Sequence, residues 1–119
     1  MTEIQKRKPY DLEDRTFIFA REIRDFINGL GKNMTNIEYS RQLIRSSGSV
    51  AANYIEANEA LSKKDFIMRV KICRKEAKES IMWLKLVQPN GKSEKEQSRL
   101  IKEGTELMKI FGAVLEKSK

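Results

Sequence analysis

The side chains that most often carry out enzymatic chemistry are sparse in this chain. Its 119 residues include no histidine and a single cysteine, Cys73. Without histidine there is no His-based general base, no Ser-His-Asp triad and no mixed His/Cys zinc site. Cys73 is spaced with apolar residues, so we interpret it as a small core residue rather than a nucleophile. We therefore expect no metal, no cofactor and no enzymatic activity.

One group of polar residues nevertheless has a spacing that could join two neighbouring helices. Its members are Arg45, Asn53, Glu56 and Glu79. Paired carboxylates at Glu56 and Glu79 could perform general acid/base chemistry. Alternatively, the group forms a hydrogen-bonded network that fixes helix register or a subunit interface. We favour the network, because no nucleophile, histidine or metal-ligand cluster accompanies the two carboxylates.

A second group of charged residues forms a row on the third predicted helix. When each residue is placed about 100° around the helix from the one before, this row lies nearly opposite an apolar sector. Met68 and Met82 lie between the charged residues of the row, and no acidic residue lies within the row. We call these residues the lysine row: Lys64, Lys71, Lys75, Lys78 and Lys85. The apolar sector consists of Phe66, Val70, Cys73, Ala77, Ile81 and Leu84.

The lysine row has the properties of a site for phosphate backbones. Its point charges recur every one to two helical turns, without a glycine-rich phosphate loop or an aromatic stacking platform. Arg41 and Lys63 are expected to add to it, and the net charge of +7 also favours a polyanion. Because no groove-reading motif is present, binding would be insensitive to sequence. The alternative is a solvated lysine face that serves solubility.

Four predicted helices must position these residues. The first begins near Asp11 and ends at Gly29 and Gly31, where we expect the left-handed glycine conformation. The third begins at Ser62 and continues to about Val87. The fourth begins at Ser93, where Ser93 and Glu96 match a capping box.

The second predicted helix, from about Thr35 to Asn58, contains Gly48 within a run of serines. This run could be a loop that divides two short helices, or it could let a neighbouring helix approach closely. The uninterrupted spacing favours one helix. In three helices the core candidates alternate steps of four and three residues. They are Leu12, Thr16, Phe19, Ile23, Phe26 and Leu30; Leu43, Ser47, Val50, Tyr54, Ala57 and Leu61; and Leu100, Gly104, Leu107, Phe111 and Val114.

Helices of this length with short connections predict an all-α, antiparallel up-down-up-down four-helix bundle over residues 10–119. Residues 1–9 are expected to be a disordered basic tail. No apolar run is long enough to span a membrane, and the lone cysteine fits a reducing compartment, so we expect a cytoplasmic protein.

The third and fourth helices carry more apolar surface than one core requires. Either a wide core absorbs these residues, or they form a contact with another copy of the chain, which we favour. The predicted oligomer interface consists of Ile72, Trp83, Leu86, Ile101 and Met108.

Three segments resemble the 23S rRNA-intervening sequence protein family. They are Tyr10 to Thr16 with Phe19-Ala20; Gln42 to Ala57; and Ser62 to Ile67 followed by Lys75 to Glu79 and Trp83-Leu84. Together the likeness covers roughly residues 10 to 115. One departure is Ala51, where many members of the family have proline.

The resemblance implies an antiparallel four-helix bundle that assembles into a ring-like homo-oligomer, commonly a pentamer. Relatives of the family include accessory proteins of diversity-generating retroelements, which are similar basic rings that engage a reverse transcriptase and nucleic acid. It therefore implies RNA or DNA and a reverse transcriptase or another protein as partners. A protein-only assembly scaffold without nucleic-acid binding is the alternative.

Overall fold

The computed structural model describes residues 11–119, and the predicted basic tail at residues 1–9 lies outside them. The described chain forms four helices and no strand. They are α1 (Leu12–Asn28), α2 (Met34–Asn58), α3 (Lys63–Leu86) and α4 (Glu94–Lys117). Within this described part, no helix is both long and apolar enough to cross a membrane. The all-α prediction is confirmed.

Side-chain caps begin the first three helices close to their predicted positions. The Asp11 side chain accepts a hydrogen bond from the Asp14 N–H at 3.3 Å. Asn33 caps α2 in the same way, and the Ser62 hydroxyl accepts from the Asp65 N–H at 3.0 Å. Each cap satisfies a backbone donor that the first turn of a helix leaves without an intrahelical partner.

The capping box predicted at the start of α4 is wrong. The Ser93 hydroxyl donates to Asn90 Oδ1 at 2.9 Å and makes no cap hydrogen bond to α4. Glu96 instead accepts from Arg99 Nε at 2.9 Å, one turn along the helix. Ser93 thus bonds to Asn90 in the preceding turn, and Glu96 bonds to Arg99, so the two side chains do not cap each other's backbone.

The expected left-handed glycines at the end of α1 are also absent. Gly29 has φ −93°, and none of the glycines in residues 11–119 has positive φ. The chain continues in a right-handed turn, in which the Leu30 N–H donates to Ile27 O at 3.0 Å. That turn brings Leu30 into the core, where it is buried.

The contacts between helices run in opposite sequence directions, as antiparallel neighbours require. From one end of α2 to the other, Asn36 contacts Gln88, Ser46 contacts Ser80, and Asn53 contacts Arg69. Helix α3 packs against both α2 and α4, and the contact between α1 and α4 is the least extensive. The four helices therefore enclose one core, with α3 as its central contributor.

Helix α2 passes through Gly48 without interruption, which confirms the prediction of one helix. The close approach of α2 to α3 is made by serines: Ser46 Oγ lies 2.8 Å from Ser80 Oγ, and both residues are fully buried. Gly48 takes no part in this contact, because a Cβ atom built on it would meet nothing within 4 Å.

The predicted core positions are buried with few exceptions. Phe19, Val70, Leu100 and Phe111 have no exposed surface. Leu61 is the clear error, since its side chain is fully exposed. Helix α2 ends at Asn58, and the periodic spacing has no structural meaning in the turn that follows.

A buried amide connects the two loops at one end of the bundle. The Asn36 Nδ2 group donates to Gly31 O and to Gln88 O, both at 3.0 Å. Its Oδ1 accepts from the Gln88 N–H at 2.8 Å. One side chain at the start of α2 thus satisfies three backbone groups in the α1–α2 and α3–α4 connections.

Two glycines of α4 should respond oppositely to alanine. A Cβ on Gly104 would lie 3.0 Å from Ile81 Cγ1 and 3.3 Å from Phe19 Cζ, whereas one on Gly112 would meet only Arg74 Nε at 3.8 Å. Alanine gains roughly 1 kcal/mol of helix propensity over glycine, but overpacking a core costs about 1–3 kcal/mol. We expect Gly112→Ala to stabilise and Gly104→Ala to destabilise the protein in denaturant unfolding. Stabilisation by both would contradict the close packing at Gly104.

Candidate nucleic-acid interface

Helix α3 presents the two opposed faces that the sequence predicted. Val70, Cys73, Ala77 and Leu84 are fully buried, and Phe66 is half-buried. All five members of the lysine row are exposed on the other side. This arrangement follows from the spacing alone, because burial of the apolar sector directs residues opposite it towards solvent.

Four members of the lysine row, Lys71, Lys75, Lys78 and Lys85, border an open groove between α3 and α4. Lys64 lies apart from this groove, beside Met68 near the start of α3. Two adjoining sections of the groove have volumes of about 710 and 490 Å³ and share Lys75, Lys78 and Met108. The residues that line the two sections are Lys71, Arg74, Lys75, Lys78, Glu79, Ile81, Met82, Lys85, Thr105, Met108 and Leu115. The groove thus has a cationic margin on α3 and a largely apolar floor.

The other predicted cations are distributed differently. Lys63 is the first residue of α3 and is exposed next to Lys64. Arg41 lies beside Ile37 and Ile44 in a separate groove between α1 and α2. Arg74 borders the α3–α4 groove and was not predicted, although it lies three residues after Lys71 and four before Lys78.

The predicted polar network is only partly assembled. Arg45 approaches Glu79 at 3.5 Å and Glu76 at 3.8 Å. Glu76 is buried and was missed, because its burial depends on how α2 packs against α3. The Glu79 carboxylate thus belongs to an ion pair that crosses from α3 to α2.

The other two members of the predicted network lie elsewhere. Asn53 accepts from Arg69 at 3.0 Å and donates to the backbone oxygen and hydroxyl of Ser49. Glu56 is exposed nearly a turn beyond Asn53, and no side-chain partner is found for it among residues 11–119. Since Arg45 pairs with Glu79 and Asn53 with Arg69, Glu56 and Glu79 lie several turns apart. The structure does not pair them for acid/base chemistry.

Cys73 has the environment of a core residue. Its side chain is fully buried, and the thiol lies 3.5 Å from Val50 O. Burial raises the pKa of the Cys73 thiol to about 12, because the thiolate would lose its hydration. At neutral pH the reactive thiolate is therefore scarce.

Most of the residues predicted to form an oligomer interface are partly covered within the chain itself. The Trp83 ring packs against Tyr39 of α2 with 5.9 Å between ring centroids. Ile72 is half-buried, and Ile101 and Met108 are half-buried against the core. Leu86 is the exposed member, at 42%.

A different apolar surface, which was not predicted, is more exposed. We call it the α1–α2 face, and its large apolar side chains, each 45–56% exposed, are Phe17, Ile37, Ile44 and Ile55. On α2, exposed Ile37, Ile44 and Ile55 fall on one side with Gly48 between them. The signal was present as a second series with steps of four and three residues, at positions 37, 41, 44, 48, 51 and 55.

Comparisons with known proteins agree with this architecture. A crystal structure of a protein of unknown function from the S23 ribosomal protein family of Bacteroides thetaiotaomicron VPI-5482 has 26% identity and a TM-score of 0.73. The match covers 87% of this chain and 97% of that protein. No curated protein sequence matches. Residues 10–113 match the family model described as 23S rRNA-intervening sequence protein. The chain therefore belongs to the 23S rRNA-intervening sequence protein family.

Proposed function

We propose that this protein is a non-enzymatic homo-oligomer that binds RNA or DNA without sequence preference through the lysine row. The observation that carries the proposal is that all five lysines are exposed along one side of α3. Arg74 adds a cation to Lys71, Lys75, Lys78 and Lys85 at the α3–α4 groove. Ammonium groups in such a row neutralise successive phosphates and release counterions, which requires no base contact.

The test is a salt titration of wild-type protein on labelled RNA and DNA of several unrelated sequences. We expect binding at low salt, similar affinities across sequences, and a linear fall of log K with log salt concentration. If about four phosphates are neutralised, the slope should be roughly −3 to −4. No retention of any polymer at low salt would reject nucleic-acid binding and favour the protein-only scaffold.

For self-association, the α1–α2 face is a better candidate than the predicted residues on α3 and α4. Met108 lines the same groove as Lys75 and Lys78. A second copy seated on that floor would cover the cations that the nucleic acid needs. The α1–α2 face lies on other helices, so both kinds of contact could be made at once.

The self-association proposal predicts a mass several times 13.8 kDa by light scattering. We expect Ile44→Glu to reduce that mass to the monomer value, because a buried unpaired carboxylate is costly at an apolar contact. Leu61→Glu is the matched control, since Leu61 is fully exposed in the turn after α2, outside the α1–α2 face. Wild-type protein that stays monomeric at micromolar concentration would reject the proposal.

The biological setting rests on the family resemblance. We propose an accessory role in a cytoplasmic RNA-processing or reverse-transcribing complex, with a ring, commonly a pentamer, as the assembly. A reverse transcriptase is then one candidate protein partner. The exposed apolar α1–α2 face also suits the second candidate function, a protein-only scaffold. The salt titration distinguishes the two.

A further inference from the structure

We propose that the preferred ligand of the α3–α4 groove is a single-stranded nucleic acid whose bases contact the apolar floor. This inference rests on the proposed nucleic-acid binding and adds the form of the polymer. The form of the polymer is inferred from the apolar side chains that lie beside the lysines in the groove.

The groove has a polar margin and an apolar floor side by side. Lys75, Lys78 and Lys85 border the larger section, and Ile81, Met82 and Met108 also line it. Met82 is 45% exposed although it lies among lysines on α3. A lysine face that served only solubility, or only phosphate binding, would have no use for exposed methionines at this position.

Among the described residues that line the groove, Glu79 is the one acid, and it is paired from the opposite side. Glu79 lines the larger section, and its carboxylate lies 3.5 Å from the Arg45 guanidinium on α2. It therefore detracts little from the positive field of the lysines. Phosphate groups can follow the α3 margin of the groove from Lys71 to Lys85.

A single strand matches this combination of surfaces, and a duplex does not. In a duplex the base faces are stacked inside, so the protein meets mainly phosphates, sugars and base edges. In a single strand the bases can unstack, turn outward and rest with their faces on an apolar surface. The polarizable methionine thioether adapts to bases of different shape, which suits binding without sequence preference.

The experiment compares a labelled oligothymidine and a labelled oligouridine with a duplex of equal length, using fluorescence anisotropy at one salt concentration. Wild-type protein should bind both single strands more tightly than the duplex. The double variant Met82→Gln/Met108→Gln keeps charge and side-chain length but makes the floor polar. It should weaken single-strand binding about tenfold, or roughly 1.4 kcal/mol, and leave duplex binding nearly unchanged.

Met34→Gln is the matched control, because that methionine lies outside the groove and should leave both affinities unchanged. Circular dichroism and light scattering check that the double variant keeps the wild-type fold and mass. Equal or tighter wild-type binding of the duplex, or unchanged single-strand binding by the double variant, would overturn the inference alone. Failure of wild-type protein to bind any of the three probes at low salt would overturn the proposed function with it.

Discussion

Reversal of three charges, Lys71→Glu, Lys75→Glu and Lys78→Glu, should abolish nucleic-acid retention by the folded protein. These lysines are exposed and line the section of the groove that also contains Arg74. The triple variant replaces three attractive contacts with three repulsive ones, so a loss of well over a hundredfold is expected at low salt. The loss is measured by comparing retention of the wild-type protein and the triple variant on immobilised RNA and DNA.

The control for this variant must change the net charge equally. Lys92→Glu, Lys95→Glu and Lys109→Glu alter three exposed lysines outside the lysine row. This variant should lose only the modest affinity that comes from overall charge. Equal losses in the two triple variants would mean that net charge, and not the α3 surface, determines binding.

Removal of the buried amide at Asn36 should cause a large loss of stability. Asn36→Ala deletes three hydrogen bonds and leaves the backbone groups of Gly31 and Gln88 without their partner. Net losses of about 1 kcal/mol per hydrogen bond give roughly 3 kcal/mol. Chemical denaturation at fixed protein concentration would measure the change.

Asn58→Ala provides the comparison. Asn58 also donates to another helix, to Glu13 Oε1 at 2.8 Å, but its surroundings are exposed. Water replaces an exposed partner at little cost, so the change should stay within about 0.5 kcal/mol. If both variants unfolded at the same denaturant concentration, the amide would not have the structural role that its three contacts suggest.

The helices and the two faces of α3 could be predicted because they depend on local information. Apolar spacing identifies the buried side, and Asp11 and Ser62 mark the starts of helices through their own side chains. The same reasoning failed at Ser93, where Asn90 competes for the hydroxyl. Spacing alone does not show whether a serine hydroxyl accepts from its own helix or donates to a preceding side chain.

The arrangement of side chains between helices could not be predicted in the same way. Burial of Glu76 and the Tyr39–Trp83 contact depend on the register of α2 against α3, which the period of either helix does not contain. For the same reason, Trp83 was assigned to an outer interface and Glu56 to a network that it does not join. The α1–α2 face was different, since its steps of four and three residues on α2 were present in the sequence but were not recognised as a second apolar series.

Two ion pairs link α1 to α4. Arg15 pairs with Glu103 at 2.7 Å, and Arg99 pairs with Glu22 at 3.0 Å. The contact between α1 and α4 is also the least extensive contact between helices in the described chain. Partial opening should therefore begin along this seam, with α1 swinging away while α3 stays enclosed. Amide hydrogens of α1 would then exchange with solvent before those of α3, and a helix that detaches so readily could be traded between neighbouring copies.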